Sequence, residues 1–151
     1  MTSVSQAARP LVSVRGLDHI VLHVADPLRS LDWYTAKLGM RPLRVAEFRT
    51  GKAPFPSVEV TPGVIIDLDP RGKRTGENLA HFCIEVDTID LKELAGSGAF
   101  GKVAGPFRRW GARGEADLVY ITDPDGNVIE LRHYGPSQVN DYGPNRAVRP
   151  E

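Results

Sequence analysis

The stretch Leu17-Asp18-His19-Ile20-Val21-Leu22-His23-Val24 returns 62 residues later as Leu79-Ala80-His81-Phe82-Cys83-Ile84-Glu85-Val86. A second echo lies downstream. Val64-Ile65-Ile66-Asp67-Leu68 returns, after a shift of 63, as Asn127-Val128-Ile129-Glu130-Leu131. A duplicated unit of this kind carries one imidazole and one carboxylate per copy, His19 with Asp67 and His81 with Glu130. Two such units facing each other can hold a metal ion.

Alternation within the first echo reads as a half-buried strand, with Ile20, Leu22 and Val24 on one face and His19, Val21 and His23 on the other. A helix follows. Asp26 is its predicted N-cap, Pro27 its first helical position and Gly39 its stop, with Leu28, Leu31, Tyr34 and Leu38 at helical spacing. Three further strands are expected in the first copy, at Arg41 to Phe48, Ser57 to Thr61 and Val64 to Leu68. The second copy repeats the order, with a strand at 79 to 86, a helix near Ile89 to Leu94, and strands near 102 to 109, 117 to 122 and 127 to 134. The turn signal Asp123-Pro124-Asp125-Gly126-Asn127 separates the last two strands.

The expected fold class is therefore α+β, two tandem βαβββ modules forming a cup-shaped mixed sheet. Residues 15–70 make the first module, 71–78 a polar linker and 79–134 the second, between loosely ordered arms at 1–14 and 135–151. A module of about 55 residues buries too little apolar surface to stand alone, so the two should share one core.

Composition narrows the partners. The chain of 151 residues has 19 basic and 19 acidic residues and no basic run interleaved with aromatics, which argues against nucleic acid and for a small-molecule substrate. Cys83 is the single cysteine, so no intrachain disulfide forms. No apolar run approaches the roughly 20 residues that span a bilayer, and no secretory signal is seen; a cytoplasmic address without membrane contact is expected.

Strand parity places His81, Cys83 and Glu85 on the concave face of the second unit, with Glu130, Val128 and Arg132 sharing one face of the last strand. Nitrogen and oxygen donors of this kind suit a divalent first-row ion, Zn, Ni, Fe, Mn or Co. His23 should face the same cup as His19, as a substrate contact or proton relay. Arg132 has two readings, a clamp for a substrate carboxylate or a partner of Glu85. Cys83 should pack in the cup wall, and His133, on the opposite parity from Glu130, should be structural or exposed.

The opening Gly16 to Val24, the helix segment Trp33-Tyr34-Thr35-Ala36-Lys37-Leu38-Gly39-Met40 and the closing segment Tyr120 to Leu131 resemble the vicinal oxygen chelate superfamily. That group includes glyoxalase I, fosfomycin-resistance thiol transferases, extradiol dioxygenases, methylmalonyl-CoA epimerase and bleomycin-binding proteins. By position, the resemblance implies that His19, His81 and Glu130 are metal ligands and that Asp67 stands where glyoxalase I has a fourth, a glutamate. Asp67 is one methylene shorter. None of Gly111 to Glu115 is a histidine, which departs from the dioxygenase pattern.

The leading expectation is a metal-dependent lyase or isomerase of the glyoxalase type, with Asp67 or Glu130 moving a proton. Alternatives are an Fe(II) or Mn(II) dioxygenase, an epoxide-opening thiol transferase, and a non-catalytic drug-binding protein. A homodimer is expected, because modules of this family pair within or between chains.

Overall fold

A computed structural model describes residues 13, 15–73, 76, 79–139 and 149–150. The element order is β1 (His19–His23), α1 (Pro27–Leu38), β2 (Arg41–Leu43), α2 (Val45–Arg49), β3 (Ser57–Thr61), β4 (Val64–Asp69), β5 (Phe82–Glu85), α3 (Leu91–Gly96), β6 (Ala104–Gly111), β7 (Gly114–Thr122) and β8 (Val128–His133). Of the arms expected at 1–14 and 135–151, residues 1–12, 14, 140–148 and 151 lie outside the described residues, as do 74, 75, 77 and 78 of the linker.

Local chemistry explains α1. Asp26 accepts hydrogen bonds from the Leu28 and Arg29 amides, Pro27 opens the first turn, and Gly39 closes the helix at φ 66°, a left-handed angle that glycine adopts without a Cβ clash. The two sheets have matching strand orders, β1-β4-β3-β2 and β5-β8-β7-β6. In each, the first strand runs parallel to the last and forms an edge, while the remaining neighbours are antiparallel. The repeat read from two short echoes thus extends to the whole topology.

The expected strand from Arg41 to Phe48 is corrected. It ends at Leu43, and Val45–Arg49 is a short helix. The break falls at Arg44, a non-glycine residue at φ 59°, whose guanidinium is tied to Ser57 and Asp67. A tertiary ion pair here overrides a strand-compatible local pattern.

One apolar cluster joins the two units. It contains Leu22, Leu31, Tyr34, Val58, Ile66 and Leu68 from the first together with Leu91, Val119, Ile121, Ile129 and Leu131 from the second. Polar contacts reinforce the junction: the buried Tyr34 hydroxyl donates to Asp123 Oδ2 at 2.7 Å, and Ser30 Oγ and the Ala25 amide donate to Asp125. Burial and the adjacent Asp123 charge push the Tyr34 phenol well above its ordinary range. The β7–β8 turn is therefore a clasp on α1 as well as a reversal. Among the described residues no helix is long and apolar enough to cross a membrane.

Candidate metal centre

Parallel pairing of β1 with β4 brings His19 and Asp67 to one face, with Asp67 in register with Val21. His19 Nε2 lies 3.9 Å from Asp67 Oδ2. Its other ring nitrogen, Nδ1, lies 2.7 Å from Asp18 Oδ2. An ionised carboxylate only accepts, so Nδ1 carries a proton, and in the neutral form of the ring Nε2 keeps the lone pair that a metal ion would need. That hydrogen bond raises the pKa of His19 against the opposing effect of burial, and the Asp67 charge adds a lesser rise. Asp67 is buried, and its Oδ1 accepts from Arg44 Nη2 at 2.7 Å and Ser57 Oγ at 2.6 Å.

The second copy repeats the arrangement with other side chains. His81 immediately precedes β5, and its Nε2 lies 3.9 Å from Glu130 Oε1. Glu130 Oε2 accepts from Arg132 Nε at 2.8 Å. Burial would push the Glu130 carboxyl up, but donors from Arg132, Cys83 and Tyr120 together hold it below its usual range. Cys83 is exposed as a residue, yet partial burial of its thiol and the hydrogen bond to Glu130 push it up to about 12, which leaves it protonated and unreactive at neutral pH. A cavity of about 300 Å³ opens here, lined by His81, Arg109, Trp110, Tyr120, Glu130 and Arg132 among others.

Of the two readings of Arg132, pairing with Glu85 is overturned. Arg132 is almost fully buried on Glu130 and also donates to the carbonyls of Arg109, Trp110 and Gly114, whereas Glu85 pairs with Arg113 at the surface. His23 is exposed, with its ring against Gly72, where even a Cβ would overlap it. His133 is buried on the helix side of its sheet, as its parity requires.

Each 3.9 Å separation is too long for a hydrogen bond and within the combined reach of two metal–ligand bonds of roughly 2.1 Å, so each nitrogen and oxygen are near enough to share one ion after a small adjustment. An imidazole held by a carboxylate at its far nitrogen is a common support for a metal ligand. The donor set thus fits a divalent ion in two pairs. The pairs do not join within one chain: among the described residues no group of three or more His, Cys, Asp or Glu side chains converges.

Residues 16–131 match the Glyoxalase/Bleomycin resistance protein/Dioxygenase superfamily. The chain belongs to this superfamily. The glyoxalase domain-containing protein RDO1 of Mycosarcoma maydis is 32% identical over 134 residues, covering 82% of this chain and 70% of that one. A probable lactoylglutathione lyase of Vibrio parahaemolyticus is 31% identical over 124 residues, 75% of this chain and 86% of its own length. Among solved structures, the integron cassette protein VCH_CASS1 from the mobile metagenome of V. cholerae has a TM-score of 0.64 at 28% identity, covering 83% of this chain and 99% of that one.

Sequence reasoning did not single out Asp18, Arg44, Ser57, Tyr120 or Arg109. Ser57 and Tyr120 were accessible from hairpin register, since each sits directly across the ladder from a site carboxylate, Ser57 from Asp67 and Tyr120 from Glu130. Arg44 was not, because its position depends on a left-handed backbone angle with no local sequence signal. Arg109 donates to the Tyr120 hydroxyl and lies over the Phe107 ring, 4.2 Å from its centroid, so a buried cation lines the same cavity as Glu130.

Proposed function

We propose that this chain is a subunit of a divalent-metal-dependent lyase or isomerase of the glyoxalase type, acting on a small molecule with two neighbouring oxygens. The metal centre forms between two chains of a homodimer, His19 and Asp67 from one and His81 and Glu130 from the other. The observation that carries this reading is the repeated pair, an imidazole nitrogen facing one carboxylate oxygen while an arginine occupies the other oxygen, left as two separate halves in a single chain. The probable lactoylglutathione lyase among the relatives supports the reaction class.

When bound, the ion supplies Lewis acidity to two adjacent substrate oxygens. The protein's own groups do the rest. Asp18 fixes the tautomer and direction of His19; Arg44 and Arg132 hold the outer oxygens of the two carboxylates so that only the inner ones face the cup. Asp67 is the better proton carrier, because Arg44 and Ser57 both bind its Oδ1 and, among the described residues, its Oδ2 meets only His19 at 3.9 Å, whereas Glu130 receives Arg132, Cys83 and Tyr120. The second half-site is walled in part by Trp110 and Tyr134, whose rings offer apolar surface to one side of the substrate.

Metal analysis of protein purified without chelator, then turnover of the hemithioacetal of methylglyoxal and glutathione in air and under argon, tests this reading. Bound metal with oxygen-independent turnover is expected. Metal-free protein, or no hemithioacetal turnover by the metal-loaded form, overturns it. The bonds from Arg44 and Ser57 to Asp67 favour one second reading, a three-ligand oxygenase that uses His19, His81 and Glu130; turnover would then stop under argon.

A further inference from the structure

A cavity of about 820 Å³ opens on the helix side of the β5-β8-β7-β6 sheet, the face turned away from His81 and Glu130. Asp117 and His133, direct cross-strand neighbours, form its floor. Leu91 and Ala95 of α3, Pro106 of β6 and Val139 after the last strand form apolar walls. The volume lies in the range of small-molecule sites.

The floor is incomplete without a ligand. Asp117 is fully employed, accepting from Arg108, from Ser137 Oγ and from the Gln138 amide. His133 beside it is 1% exposed, and its Nδ1 is buried with no hydrogen-bond partner among the described residues. Buried polar atoms of folded proteins are nearly always bonded, so Nδ1 calls for a partner that the described residues do not supply. Charge then selects the class of partner. The lining holds two carboxylates, Asp90 and Asp117, against one ammonium, Lys92, and so offers no surplus cation for an anion. Apolar walls with a single ring nitrogen on the floor suit a molecule that is neutral, largely apolar and hydroxylated.

We propose that this cavity is a second binding site, separate from the cup, for a neutral apolar alcohol or phenol whose hydroxyl hydrogen-bonds to His133. The test titrates 1-naphthol into the full-length chain labelled with ¹⁵N at histidine. Saturable shifts of the His133 ring signals are expected, with a dissociation constant below about 1 mM. Ala95→Phe, a change on the half-buried face of α3 that fills the cavity, should weaken binding about tenfold or more, as should His133→Gln. Zinc uptake by Ala95→Phe should equal that of the parent chain. Absence of saturable binding, shifts centred on His81 in place of His133, or unchanged affinity in Ala95→Phe would each overturn the proposal; if His133→Gln does not fold, Ala95→Phe decides.

Discussion

Asp67 and Glu130 correspond oxygen by oxygen: each is buried, each gives one oxygen to an arginine, Arg44 or Arg132, and each turns the other toward a histidine Nε2 at 3.9 Å. The arginines themselves come from unrelated places, one from a left-handed break between β2 and α2 and one from β8 itself. Equivalence of the carboxylates with separation of the pairs is what a two-chain site requires. A His19→Ala chain mixed with a His81→Ala chain should therefore recover about a quarter of the parent metal sites after subunit exchange, since one of the two sites in each mixed dimer is intact. Metal analysis of the mixture checks this. No recovery, or a monomer by light scattering at micromolar concentration, would exclude the shared site.

Arg132 is the most consequential side chain for the second half-site. It neutralises a buried Glu130 and ties the β6–β7 hairpin to β8 through three carbonyls. Removing one partner of a buried pair leaves the other charged and unsolvated, so Arg132→Met should lower unfolding stability by about 3–5 kcal/mol in urea titrations. Gly111→Ala should act on the same group, because its Cβ would lie 2.1 Å from Arg132 Nη1, and that guanidinium has no free space to retreat into. A Gly111→Ala chain as stable as the parent would show that the clamp is soft.

How much of this was legible beforehand follows from the range of the interactions. The faces of β1, β5 and β8 and the caps of α1 rest on alternation and short spacing, and the pairing of each histidine with its carboxylate rests on the repeat, all of which a sequence displays directly. Arg44 and Arg132 show the limit. Both are salt-bridged to site carboxylates, yet local pattern places Arg44 in a strand and leaves Arg132 between a substrate carboxylate and Glu85, since partner choice depends on side-chain reach across a sheet. The clasp of Tyr34 on Asp123 spans 89 residues and is equally hidden, although each end has a local signal of its own, one for helix packing and the other for a turn.

Acid should weaken the fold partly through Asp69. Its bidentate contact with Arg71 holds the carboxyl down, from 3.8 to about 2. A carboxyl depressed in the folded state stabilises it above the unfolded value, and this contribution disappears as pH falls through the folded value. The stability advantage of the parent chain over Asp69→Asn should accordingly be full at about pH 6 and shrink between about pH 4 and pH 2. Urea midpoints across that window measure it; a constant difference would mean that Asp69 acts through neutral hydrogen bonds alone.

Asp67→Asn separates the two chemical readings of the cup. The substitution keeps the side-chain shape and an oxygen for Arg44 and Ser57, while the half-exposed Arg44 can solvate its freed charge, so the fold should persist. What is lost is the oxygen charge facing His19, and with it both a donor to the ion and the preferred proton carrier. A glyoxalase-type reaction should then slow by about 10²- to 10⁴-fold in kcat, with KM changed much less, because proton transfer belongs to the transition state and not to substrate binding. A three-ligand oxygenase would tolerate the change, as His19, His81 and Glu130 would remain to hold its ion. Severe loss of oxygen-independent turnover in Asp67→Asn would eliminate the oxygenase, and a mild defect in oxygen-dependent turnover would eliminate the lyase.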